Sequence, residues 1–353
     1  MTTFEQVSAG LEKAGIGSVW LASGSEGAVM AIPTYGRVVG LWSDRSADNH
    51  LWVNAEFLER GEAKSSGRVA AWANPGGDRV WLSPEREFFI RDLARPWETY
   101  SVPACMDPGN YSYKLSGRGI LMENSGVAEA FASALGVSFT ISRHIRPLAH
   151  DLIEDFARGT CLKGAGYVEE SVIEVDRCCP IKVGLWNLVQ VPLGGNASVP
   201  VKHLDCHTAF FGEPEEAVCY GGDGMKVSFG RQEMFKIGVK ASSILGKVAY
   251  ILKHEDGSAS LLLRRFGVGR DVDYADTPWN APDDAGYALQ LFCGAAKHGF
   301  GELEHHAPAV GGTSGRTRYV GKSVLCAFSG HRERCEELSR LFLKDSKSRR
   351  AED

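Results

Sequence analysis

Short runs of apolar residues alternating with polar ones dominate the chain from residue 18 onward. Residues 18–22, 27–32 and 37–42 are such runs, separated by Gly24-Ser25-Glu26-Gly27 and Thr34-Tyr35-Gly36. A period of two with that punctuation predicts strands joined as a meander. Residues 51–54 read as a further strand end, and 58–66 as a polar connection. Strand-like segments recur at 119–122, 137–146, 166–176, 182–191, 225–229, 235–239, 247–253, 259–266 and 287–293. Gly194-Gly195-Asn196, Gly221-Gly222-Asp223-Gly224 and Asp256-Gly257 between them are turn signals. Helical spacing appears at the two ends only. Phe4, Val7 and Leu11 share one side of a segment at 4–14, and Cys335, Leu338, Leu341 and Phe342 one side of 331–343.

This pattern predicts an all-β chain: one large antiparallel β-sandwich over 1–343 with short N- and C-terminal helices, and a solvated tail at 344–353. A length of 353 residues with 44% hydrophobic content supports a sizeable core. Neither a G-x-G-x-x-G between strand and helix nor a Walker sequence occurs, which disfavours nucleotide-binding α/β folds. The 39 basic and 44 acidic residues are dispersed, so neither a nucleic-acid nor a membrane partner is expected. No apolar run has the length of a signal peptide or a membrane span, and the expected location is the cytoplasm. Nine cysteines without C-x-x-C spacing argue against a disulfide framework or zinc finger, and most are expected as buried thiols.

The most informative stretch is Gly76-Gly77-Asp78-Arg79-Val80-Trp81-Leu82-Ser83-Pro84-Glu85. If the strand continues to its end, Arg79, Trp81, Ser83 and Glu85 share one face, opposite Val80, Leu82 and Pro84. A guanidinium, an indole and a carboxylate in a row suit a ligand with hydroxyls and an apolar ring face; a surface ion pair beside a packed tryptophan gives the same pattern. Trp97, Tyr100, Tyr111 and Tyr113, in a proline-punctuated loop region, are candidates for the rim of such a site or for caps on the core.

Three other constellations carry chemistry. In 299–308, Glu302, Glu304 and His306 fall on one strand face and Leu303 and His305 on the other. Crowded carboxylates beside an imidazole suit proton transfer, and a polar solvent-facing strand has the same alternation. In 184–192, Trp186, Leu188 and Gln190 alternate with Leu185, Asn187 and Val189, which reads as sugar stacking or as core. In 202–207, His203, Asp205 and His207 would project together from a strand as weak metal-ligand candidates, in a spacing that matches no metal-site signature. Arg143, His144 and Arg146 read either as positive charge near an anionic substrate or as exposed strand charge.

Taken together, the stretches at 76–85, 185–190 and 302–308 resemble a bacterial branch of the galactose mutarotase-like (aldose 1-epimerase-like) superfamily. The resemblance implies a supersandwich with a carbohydrate site on the concave face of one sheet, a small-molecule carbohydrate as partner, and no cofactor. It implies Glu304 as general base and Arg79 as the substrate-gripping arginine. The middle strand departs from the family pattern, since Gly184-Leu185-Trp186-Asn187-Leu188 has no histidine at the acid position. Another histidine, from among His203, His207, His305 and His306, would have to supply the acid. The expected catalytic set is Glu304, His306 and Arg79, with Trp81, Glu85, Trp186, Asn187, Gln190, Glu302 and His305 binding substrate. The expected activity is proton transfer at a sugar's anomeric centre, by an epimerase or mutarotase-like isomerase. The alternatives are a non-catalytic carbohydrate-binding protein and a glycoside hydrolase or polysaccharide lyase on the same fold.

Overall fold

Two large antiparallel sheets build the molecule, in a computed structural model that describes residues 2–60, 72–222, 224–269 and 271–345. Residues 61–66 of the expected polar connection and 346–353 of the expected tail lie outside the described residues. One sheet has nine strands in the spatial order Val19–Ser23, Gly27–Ile32, Arg37–Trp42, Asp78–Ser83, Gly184–Pro192, Phe300–His306, Tyr287–Cys293, Phe235–Lys240 and His207–Phe211. The other has ten, from Val218–Gly221 at one edge to Ser112–Ser116 at the other. This is the all-β sandwich that the alternation predicts.

The core between the sheets follows from the two-residue period. Val189, Val191, Ile237, Val239, Leu289, Leu291 and Leu303 point inward from the nine-stranded sheet to meet Met122, Ile145, Tyr167, Leu262 and Leu325 from the other. Asp78 also points inward. Its carboxylate meets the Arg143 guanidinium at 3.0 Å and the Tyr167 hydroxyl, and Arg143 reaches Glu169 at 2.7 Å. Arg143 is therefore neither near a substrate nor exposed: it is a fully buried cation that ties the sheets together.

The outer faces are covered at their ends. The helix Phe4–Lys13 starts at a capping box in which Thr3 and Gln6 exchange hydrogen bonds, and it buries Val7 and Leu11 against Met30 and Trp42. The helix Arg332–Lys344 lays Leu338 and Phe342 over Leu261, Leu263 and Phe328 on the ten-stranded sheet. The middle of the nine-stranded sheet keeps its outer face for the site. At the entry to the strand Asp78–Ser83, Gly76 and Gly77 take φ of 97° and 80°, and a Cβ on them would lie 2.4 Å from the Trp52 carbonyl oxygen and 2.1 Å from that of Val38. No other residue fits there.

Four expectations are corrected. Residues 51–54 form no strand; Val53 makes one isolated bridge to Gly76. The strand that was expected to carry Glu85 stops at Ser83, and Glu85 opens the short helix Glu85–Phe88. The 14-residue strand Arg318–His331 and the helix His150–Ala157 are additional elements. Of the nine free cysteines, three are buried: Cys293, Cys326 and Cys335.

Candidate functional site

Strand register sets the site. Trp81 stands opposite Trp186, Trp186 opposite His306, Gln190 opposite Glu302, and Glu302 opposite Phe292, so four adjacent strands send Arg79, Trp81, Trp186, Glu302, Glu304 and Phe292 to the same outer face. Lys236 joins them from the next strand, where it stands opposite Phe292. Trp97, Tyr100 and Trp279 close the walls from loops and short helices, around a cavity of about 290 Å³. That is the size range of a small-molecule site lined by aromatic rings with a few convergent polar groups.

At its floor one ammonium serves two carboxylates. Lys236 Nζ lies 3.1 Å from Glu304 Oε2 and 3.2 Å from Glu85 Oε2, with the Trp186 ring centre 4.3 Å away. Trp186 Nε1 donates to the same Glu304 oxygen at 2.6 Å. Glu304 Oε1 is buried and has no hydrogen-bond partner. Burial, with Glu302 and Glu85 nearby, pushes the Glu304 carboxyl up to about 8 against the pull of Lys236. Burial acts to lower Lys236, but Glu304 and Glu85 outweigh it and hold the ammonium above its ordinary range. Glu85 and Asp276 are likewise raised, first by burial. Two cations, Arg79 and Lys236, thus stand among four carboxyl groups, those of Glu85, Asp276, Glu302 and Glu304.

Glu302 is held differently. Its Oε1 accepts from Arg79 NH2 at 2.8 Å and from Gln190 Nε2 at 3.0 Å. Arg79 Cζ stands over the Trp81 ring, 3.9 Å from its centre, with Nε and NH1 buried and without hydrogen-bond partners. Glu85 reaches the cavity from its helix, where it accepts from Tyr100 Oη at 3.0 Å and Trp279 Nε1 at 3.2 Å.

The structure brings together Arg79, Trp81, Glu85, Trp186, Glu302 and Glu304 on the cavity wall. Gln190 and His306 are on the same face but do not line the cavity. Gln190 buttresses Glu302, and His306 lies parallel to Trp186 at 6.0 Å, both its ring nitrogens unpartnered. Burial first, then Lys236, keeps the His306 imidazole far below its ordinary value and neutral. Asn187 and His305 turn to the opposite face. His305 stacks on Phe266 inside the sandwich at 4.5 Å, and Asn187 Nδ2 donates to the His305 carbonyl at 3.4 Å. Neither can touch a ligand in the cavity.

His203, Asp205 and His207 do not project together. Asp205 has a left-handed backbone (φ 53°), His203 Nε2 pairs with Ser243 Oγ at 3.0 Å, and His207 Nδ1 with Tyr220 Oη at 2.7 Å. Among the described residues no three His, Cys, Asp or Glu side chains are grouped to hold a metal ion. Of the loop aromatics, Trp97 and Tyr100 line the cavity, Tyr111 packs in the core between the sheets, and Tyr113 is exposed.

Sequence reasoning overlooked Lys236, Trp279, Lys297 and His298. Lys236 had a signal, a lone cation alternating with Phe235, Ile237 and Val239, whereas Trp279 follows Pro278 in a loop without periodicity.

No protein-family model matches the chain, and no curated protein matches it in sequence. Solved structures do share its fold. A candidate aldose 1-epimerase from Escherichia coli K12 superposes with a TM-score of 0.52 at 9% identity, over 89% of this chain and 100% of that one. One from Klebsiella pneumoniae does so at 0.51 and 8% identity, over 92% and 82%. A galactose mutarotase-like protein from Lactobacillus casei is also similar, at 0.46 and 9% identity over 89% and 100%. At these identities the likeness is one of fold: a large antiparallel β-sandwich shared with the two candidate aldose 1-epimerases.

Proposed function

We propose that this mutarotase-like sandwich binds a small sugar in the cavity and interconverts its anomers by proton transfer at Glu304. The observation that carries the reading is Glu304 in the cavity lining, with Oε2 fixed by Trp186 and Lys236 and Oε1 left without a hydrogen-bond partner. A carboxylate tethered by one oxygen presents the other in a set direction, as a base that takes the proton of an anomeric hydroxyl. As the ring opens, charge develops on the ring oxygen, and an ammonium already in place stabilises it without reorganisation. Lys236 takes that part, since it is held too firmly charged to give its proton away. Glu304 gives that proton to the ring oxygen as the C1–O5 bond breaks; after rotation about C1–C2 it takes the proton back while the ring oxygen attacks the other face of the carbonyl, and delivers it to the new anomeric oxygen, which gives the second anomer. Trp81, Trp186 and Arg79 line the cavity that the sugar would fill.

Binding without turnover is the second reading, favoured by the position of His306 behind Trp186. Magnetisation exchange between the anomers of a sugar panel separates the two. With Glu304→Gln the exchange is expected to slow by about 10²–10⁴-fold while sugar binding persists. Undiminished exchange in that variant would remove Glu304 from the reaction.

A further inference from the structure

We propose that the ligand is longer than one ring: the cavity takes the reducing-end residue of a disaccharide or short oligosaccharide, and the next glycosyl unit stacks on a shelf built around Trp97. The inference rests on the sugar reading above and extends it from the floor of the cavity to its mouth.

Trp97 is 55% exposed, although it sits in an aromatic group that could have covered it. The ring centres of Phe211 and Trp279 each lie 4.8 Å from that of Trp97, with the planes crossed at 84° and 63°, and 5.4 Å from each other. They fix its orientation and leave much of its surface to water. The Trp279 indole is anchored in turn by its bond to Glu85, so the shelf is tied to the cavity floor. Lys297 and His298, both exposed, also line the cavity. An aromatic plane with hydrogen-bond donors in the same opening matches a pyranose, which has an apolar face and a hydroxyl rim. The floor already holds the groups that act on an anomeric centre, so the second ring lies outward, away from the reducing end.

The test compares sugar pairs that share a reducing residue: glucose with cellobiose, galactose with galactobiose, mannose with mannobiose and xylose with xylobiose. Binding is read by calorimetry and anomer exchange by NMR. In at least one pair the disaccharide is expected to be favoured about tenfold. Trp97→Ala should erase that advantage, cutting the disaccharide far more than the monosaccharide, and Trp97→Phe should restore most of it. Equal affinity within every pair that binds, or equal losses for both members in Trp97→Ala, would overturn the shelf and leave the sugar reading standing. Absence of binding and exchange across all pairs would overturn both.

Discussion

Glu304 and Lys236 are 3.1 Å apart and buried together, so each sets the other's protonation. With its carboxyl pushed up to about 8, Glu304 is mostly protonated at neutral pH and becomes a base only as the pH rises. The rate of anomer exchange should therefore climb through about pH 8 and level off above it. A rate that falls through that range would make Glu304 an acid instead. Replacing the cation by an apolar chain of similar length, Lys236→Met, removes both the charge and the hydrogen bond by which Lys236 favours the carboxylate. It is expected to move the rising limb to higher pH and to lower the plateau by about 10²-fold, with a smaller effect on KM. A limb that stays where it is would show that Lys236 does not act on Glu304.

Strands explain both what the sequence disclosed about this site and what it concealed. The period of two correctly placed Arg79 with Trp81 and Glu302 with Glu304. The same period set Asn187 opposite Trp186 and His305 opposite Glu304, so assigning them to the site contradicted the alternation that defined it. Glu85 reached the cavity for a reason alternation does not encode, a helix turn after Ser83. Loop residues such as Trp97 and Trp279 have no period to read. The strand Arg318–His331 was hidden because its middle, Val324–Phe328, is buried on both faces and reads as a continuous apolar run. One of those faces exists only because the helix Arg332–Lys344 covers it. Leu338→Ala in that helix should cost about 2–5 kcal/mol in urea unfolding, a loss carried by the contact with Leu261 and Phe328. A change below about 0.5 kcal/mol would mean that the helix is not part of the cooperative unit.

The nine-stranded sheet separates two charged compartments, the cavity on its outer face and the Asp78–Arg143–Glu169 group between the sheets. In the inner group burial, the largest influence, raises the Glu169 carboxyl, and Arg143 pulls it back. Arg143→Met would strand two carboxyl groups in the core, and a loss of about 3–5 kcal/mol is expected from denaturant titration. A loss under about 1 kcal/mol would mean that Arg264, 3.9 Å from Asp78 and 3.7 Å from Glu169, takes over as their partner. Asp78 and Arg79 are consecutive, yet one serves the inner compartment and the other the outer. This stretch of chain is consequently intolerant of any change in length. One alanine inserted between Val80 and Trp81 would exchange the two faces over half the strand and swing an indole into the core. Such a protein is expected to be insoluble, whereas the same insertion at the open Asp256-Gly257 turn should shift the melting temperature by only a few degrees. Across related chains, insertions and deletions should then accumulate at the hairpin tips and stop at this strand, a boundary that alignment of any homologues would expose without reference to what the cavity binds.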